Sequence, residues 1–279
     1  MTFAAFAAAL MLAAQQAPAL PDELVISAVV LDKKGHSVLD LKPEEFVVSE
    51  SGSERLVTRA ELDSRPLNIA LLLDTSVSMG STYNADVIPA VVSFLNKLPQ
   101  GAVFSIWSTS NSPKVIVEQG TDVSTVETKL RNVAPFGQNA ALDALVVASQ
   151  ELAKDGTHRT AVVLVTSASM AGVAVDMQAL LPKASWKPTY IAIQYIQGPE
   201  DTRLQDALKV LILRTAGLHE RVFSTMAIQT QLMKALDNLS STYRIAWKPA
   251  ADPKQAKIEV KVKRSNVRLT QAQRISTTW

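Results

Sequence analysis

Cysteine is absent from the 279 residues, and histidine occurs only at His36, His158 and His219. The first absence excludes disulfides, thiol nucleophiles and thiolate metal sites. The second, with no His-x-x-x-His spacing, excludes the usual zinc constellations. Charge of one sign is also lacking: 28 basic and 26 acidic side chains leave a net charge of +2. Nothing in that balance calls for a nucleic-acid partner. No apolar run reaches the roughly 20 residues that cross a bilayer, so no stable membrane span is expected. Neither a G-x-G-x-x-G turn nor a P-loop is present. Hydrophobic side chains, in contrast, make up 47% of the chain, and the length is enough for roughly two domains.

The remaining sequence is organised around Asn68-Ile-Ala-Leu-Leu-Leu-Asp74-Thr-Ser76-Val-Ser78-Met-Gly80. A short apolar run reads as a buried central strand. It ends on a carboxylate, then two hydroxyls at alternate positions, then glycine. An apolar strand with a polar tip is how a parallel sheet presents a binding site at the carboxyl ends of its strands. One anionic oxygen and two hydroxyls in a tight turn supply half of a site for a hard divalent cation such as Mg2+ or Mn2+.

Four segments surround this stretch. Residues 1–20 carry an apolar run from Phe3 to Ala14 and then Ala17-Pro18-Ala19. They read as a signal peptide without the usual basic start, and imply a secreted or periplasmic protein. Residues 21–64 are β-rich, with strands expected at Leu24–Leu31, from Phe46, and at Arg55–Ala60, and with charges on solvated faces. Residues 65–240 alternate apolar strands (68–74, 102–108, 160–166, 189–195) with helices. The helices are expected from Met79 or Tyr83 to Lys97, kinked or restarted at Pro89, and at 124–132, 140–154, 174–181, 202–215 and 225–239. That alternation predicts an α/β fold with a doubly wound, mostly parallel sheet covered on both faces. Residues 241–279 return to β, and Lys261, Lys263, Arg264 and Arg268 read as the wet face of an amphipathic strand. The two β-rich ends are expected to pair into one small sheet or sandwich, with the α/β domain inserted between them.

Asp74-x-Ser76-x-Ser78, on this strand and in this order of elements, resembles the metal-ion-dependent adhesion site of the von Willebrand factor A domain over residues 66–240. Gly35-x-x-Val38-x-Asp40-Leu41-x-x-Glu44-Glu45-Phe46 and the region from Tyr243 to Arg268 look like the secreted, acidobacterial-type proteins related to it. The resemblance implies a five-part metal site. Asp74, Ser76 and Ser78 come from the first loop, Asn139 stands where a second loop carries threonine, and Ser167 stands where a third carries aspartate. Only one formal negative charge remains, so the site is degenerate and weak for Mg2+ or Mn2+. Asn139 offers a carbonyl oxygen in that reading, Ser167 holds a water, and an acidic side chain of a protein ligand supplies the missing charge. In the alternative, the site is a relic in which Asp74 caps the following helix.

The implied function is an exported, non-enzymatic binding or adhesion module for a protein ligand. A metal-independent scaffold is the alternative. A phosphatase-like hydrolase is the weakest reading, since Ser76 stands where a second aspartate would be needed. Ser76 or Ser78 as a hydrolase nucleophile lacks both G-x-S-x-G and an evident histidine.

Overall fold

The computed structural model describes residues 23–169, 183–185, 187–250 and 257–276. The segment at 1–20 and the helix expected at 174–181 lie outside them. The chain opens with β1 (Leu24–Asp32), a helical turn at Pro43–Glu45, β2 (Phe46–Glu50), β3 (Ser53–Arg55) and β4 (Val57–Leu62). The middle runs through β5 (Leu67–Leu73), α1 (Gly80–Thr82), a wide turn at Tyr83–Val87 and α2 (Ile88–Leu95). It continues with β6 (Val103–Ser108), β7 (Lys114–Gly120), α3 (Val126–Arg131), α4 (Ala141–Ala153), β8 (Arg159–Ser167), β9 (Thr189–Tyr195), α5 (Thr202–Thr215), β10 (Leu218–Val222) and α6 (Ile228–Ser240). β11 (Thr242–Trp247), β12 (Ile258–Val262) and β13 (Val267–Ser276) close the chain.

Strand β5 is buried at every position. A strand reads as continuously apolar when both faces of its sheet are covered, and successive side chains explain how. Ile69, Leu71 and Leu73 share one core with Val91 and Phe94 of α2 and Leu232 of α6. Ala70 and Leu72 share the opposite core with Leu145 of α4 and Leu208 of α5. The six-stranded order is β10-β9-β8-β5-β6-β7. All pairings are parallel except β6 with β7. From β5 the chain goes to β6 on one side and later to β8 on the other. The switch point between β5 and β8 therefore lies at their carboxyl ends, where sheets of this kind place a binding site. Pro89 has no N–H to return to the preceding turn, and ahead of it the ladder widens so that Ile88 N–H closes on the Tyr83 carbonyl.

Both chain ends contribute to the β layer. The order β13-β1-β11-β4 makes one sheet and β12-β2-β3 another. Their facing sides share a core of Ile26, Phe46, Val48, Tyr243, Ile245, Trp247 and Val260.

Three local expectations change. Arg55–Ala60 is not one strand: the chain breaks at exposed Leu56, so β3 pairs with β2 while β4 crosses to β11. β10 was not legible as a strand, because His219, Glu220 and Arg221 interrupt it. It lies at the sheet edge beside β9, where every residue but buried Val222 stays partly wet. The charges of the β layer are not all solvated. Glu50, Asp63 and Arg244 are buried, and Arg264 bridges Asp40 and Glu45 at 2.5 and 2.8 Å.

Candidate functional site

The site at the β5/β8 switch point is built from three loops. The first follows β5 from Asp74 to Met79, the second runs from Phe136 into α4 at Ala141, and the third ends β8 at Thr166 and Ser167. A hydroxyl-rich segment after β6, Ser108-Thr109-Ser110, supports them from below. Backbone bonds lace the loops together. Phe136 N–H donates to the Thr75 carbonyl at 2.9 Å, Val77 N–H to Gly137 at 3.2 Å, and Ala140 N–H to Thr109 at 2.8 Å. Gly137 holds a φ of +70°, and a Cβ there would sit 2.3 Å from Asn111 Oδ1. Asn111 in turn accepts Gln138 N–H at 2.9 Å, which sets the turn that delivers Asn139.

Asp74 is 1% exposed at the centre. Its Oδ1 accepts Ser76 N–H at 2.9 Å. Its Oδ2 accepts Ser167 N–H at 2.8 Å, Ser167 Oγ–H at 2.6 Å and Asn139 Nδ2–H at 2.9 Å. Thr166 Oγ1 lies 3.3 Å from the same oxygen and shares its proton with the Ser167 carbonyl at 3.0 Å. The carboxylate is thus surrounded by donors.

The orientation of Asn139 follows from its neighbours. Its Nδ2 faces Asp74 Oδ2 and the Ser169 carbonyl, two groups that only accept, and Thr166 Oγ1 at 2.7 Å. Its Oδ1 accepts Thr109 Oγ1–H at 2.8 Å. Turning the amide over would set its oxygen against a carboxylate and a carbonyl, so the N-inward orientation is chosen by electrostatics.

Asp74, Asn139 and Ser167 are therefore in direct contact. Ser76 joins them through its backbone N–H, and its Oγ accepts Ser78 N–H at 3.3 Å. Ser78 is half-buried at the rim. Asn139, expected to offer a carbonyl oxygen, presents N–H instead. Ser167, expected to hold a water, donates to Asp74. Asp74 does not cap the helix that follows, because its bonds go to Ser76, to Asn139 and to the end of β8. Thr109 and Thr166 were missed. Their trace in the sequence is the presence of hydroxyls at the carboxyl ends of β6 and β8, the same sheet edge as Asp74.

A divalent cation needs several oxygens with lone pairs aimed at one point. Here the single carboxylate is engaged by N–H and O–H groups, and the second-loop side chain aims hydrogens inward. The donor set in this arrangement does not fit the ion. No group of three or more His, Cys, Asp or Glu side chains able to hold a metal occurs among the described residues.

At the lip of the same loops, Val77 and Phe136 are 67% and 52% exposed. Both belong to the laced segments, so two apolar side chains project from a fixed backbone beside the polar centre.

The model of the von Willebrand factor type A domain matches residues 69–171. A search of curated proteins returns no match. Among solved structures, a von Willebrand factor type A protein from Catenulispora acidiphila aligns over 90% of this chain and 73% of its own, at 11% identity and a TM-score of 0.55. Proximal thread matrix protein 1 of the mussel byssus, with zinc in its MIDAS (metal-ion-dependent adhesion site) motif, aligns over 68% of this chain and half of its own. The identity there is 16% and the TM-score 0.50. No helix among the described residues is long and apolar enough to cross a membrane.

Proposed function

Residues 69–171 are a von Willebrand factor type A domain, and from that premise we propose that the protein is a non-enzymatic module that binds another protein without a metal bridge. The observation that carries the reading is the hydrogen-bonded closure of Asp74 by Ser76, Asn139 and Ser167. In an adhesion-type site the ion joins the loops to each other and to an acidic ligand. Here Asn139 and Ser167 take over the first task with neutral donors, whose N–H and O–H groups occupy Asp74 Oδ2. Recognition then falls to the loop tips. Val77 and Phe136 supply exposed apolar surface on a rigid frame, the kind of feature that anchors protein interfaces. Export to the periplasm or beyond belongs to the same reading and rests on Phe3–Ala14 with Ala17-Pro18-Ala19.

Calorimetric titration with Mg2+, Mn2+ and Zn2+ tests the central point. The expected result is no saturable heat for the wild type and a gain of binding in Ser167→Asp/Asn139→Thr, which restores a charge and removes the inward N–H. Saturable Mg2+ binding by the wild type that vanishes in Asp74→Ala would overturn the reading. Partners captured from extracts should persist in a chelator and be lost with Val77→Ser/Phe136→Ser, whose melting temperature should stay near that of the wild type.

A further inference from the structure

The sheet face that carries α4 is unevenly covered. Ala70 and Leu72 of β5 pack there with Leu145 and Leu152 of α4 and with Val162 and Leu164 of β8. β6 runs beside β5, with Ser105 opposite Ala70 and Trp107 opposite Leu72, so strand alternation points Ser105 and Trp107 to this same face. Among the described residues of β6 and β7, Trp107 alone packs on that core, at its margin, where it stays half-buried. The step between α4 and β6 leaves a pocket of about 250 Å³. Ala70 and Ser105 line it from the sheet, Ala148 lines it from α4, and Trp107, Asn68 and Gln119 complete it. Ala70 and Ala148 carry a single methyl each, which keeps the space open.

Trp107 Nε1–H donates to Ser105 Oγ at 2.9 Å. That bond to a residue two positions back pins the indole along β6. Ser105 accepts with its oxygen, so its own O–H is left to donate. Asn68 is 4% exposed, and its Nδ2–H donates to Asp155 Oδ2 at 2.7 Å. Turning the amide over would set its oxygen against a carboxylate, so the orientation is fixed. Asn68 Oδ1 has no partner among the described residues and is not sealed from solvent. It is an open acceptor on an otherwise buried side chain. Gln119 is exposed and offers both a donor and an acceptor. Nearby carboxylates are already engaged. Glu151 pairs with Lys154, and Asp155 holds Asn68, the Thr157 N–H and His158. The pocket thus combines an aromatic surface with neutral donors and acceptors.

We propose that this pocket binds a single ring of a neutral sugar, its C–H face against Trp107 and its hydroxyls on Asn68, Ser105 and Gln119. A pyranose is apolar on its faces and polar at its rim, which matches an aromatic side chain accompanied by amides and a hydroxyl. Each sugar hydroxyl both donates and accepts, and the lining supplies both complements: Asn68 Oδ1 accepts, Ser105 donates and Gln119 does either. A charged ligand would find its counter-charge already paired. The site shares no residue with the Asp74 loops, so it adds a second kind of ligand to the protein-binding reading.

The test is calorimetric titration of the full chain with glucose, galactose, mannose and N-acetylglucosamine, followed in parallel by saturation-transfer NMR on the sugar protons. At least one of them is expected to bind saturably with millimolar affinity. Gln119→Ala, at an exposed position whose change leaves the fold alone, should weaken that binding about three- to tenfold, the scale of one neutral hydrogen bond. Trp107→Leu should abolish it. If Trp107→Leu does not fold, Trp107→Phe keeps a ring, loses the N–H that pins it and should still weaken binding. The methyl glycoside of the bound sugar separates the end of a glycan from a free monosaccharide: its binding assigns the first, its failure the second, and both support the site. No saturation by any of the four sugars, equal affinity in the wild type, Gln119→Ala and the Trp107 variants, or tighter binding of glucosamine, glucuronate or a nucleoside than of any neutral sugar would overturn the proposal.

Discussion

At Asp74, the side chain's role is set by what points at it. The sequence shows a carboxylate followed by two serines, and that pattern is as compatible with a cation as with a hydrogen-bonded turn. The distinction lies in which atoms of Asn139 and Ser167 face inward, and distant residues decide it: Thr109 captures the Asn139 oxygen at 2.8 Å and turns its N–H groups toward Asp74. Replacing Asp74 with Asn would set an NH2 group among donors. Asp74→Asn is expected to cost about 3 kcal/mol, the range for leaving buried charge-assisted partners unsatisfied, and to be no milder than Asp74→Ala. Urea denaturation of the two variants checks this. The opposite ranking would mean that the pocket rearranges to accept an amide.

Among the elements, the connection from α5 to β10 shows how backbone geometry constrains composition. The helix ends with Ala216 in the left-handed region at φ 53°, and Gly217 N–H donates to the Ile212 carbonyl at 3.1 Å. A Cβ on Gly217 would stand 1.8 Å from the Tyr190 carbonyl oxygen on β9. Gly217→Ala must therefore push β10 away from β9. It is expected to cost about 3 kcal/mol or more, as severe backbone overpacking does, with early hydrogen exchange of β9 and β10 amides as the local sign. Helix positions were largely readable because apolar residues recur at helical spacing. β10 was not, because an edge strand can carry charges that a central strand cannot.

For the whole molecule, the β layer has a core of its own, to which the α/β domain adds Ala216 from the end of α5. Within the layer, buried Glu50 joins β2, β3 and β11 by accepting Arg55 Nε at 2.6 Å, Trp247 Nε1 at 2.9 Å and Ala250 N–H at 2.8 Å. Burial pushes its carboxyl up, but the bonds from Trp247, Ala250 and Arg55 outweigh that and hold it below the ordinary value. A lowered carboxylate contributes stability that is complete above its unfolded value, near pH 4.5, and is lost as the pH falls through the lower folded value. Urea midpoints should therefore drop between about pH 5 and pH 3. Glu50→Gln should cost about 2 kcal/mol at neutral pH and flatten part of that slope. An unchanged slope would place the acid sensitivity elsewhere, with Asp155 the next carboxyl held low, against burial, by Asn68 and the 157–158 turn.

The sequence alone determined the alternation of strands and helices, the parallel sheet, the polar tip at Asp74 and the β character of both ends. These follow from local periodicity, which each segment carries within itself. Only the tertiary structure decided the orientation of Asn139, the closure of Asp74 by Ser167 and the gathering of Arg65, Arg159 and Arg244 around Asp63. Each depends on groups tens to hundreds of residues apart, brought within hydrogen-bonding or Coulombic reach by the packing of sheets and helices. Spacing along the chain holds no record of such distances.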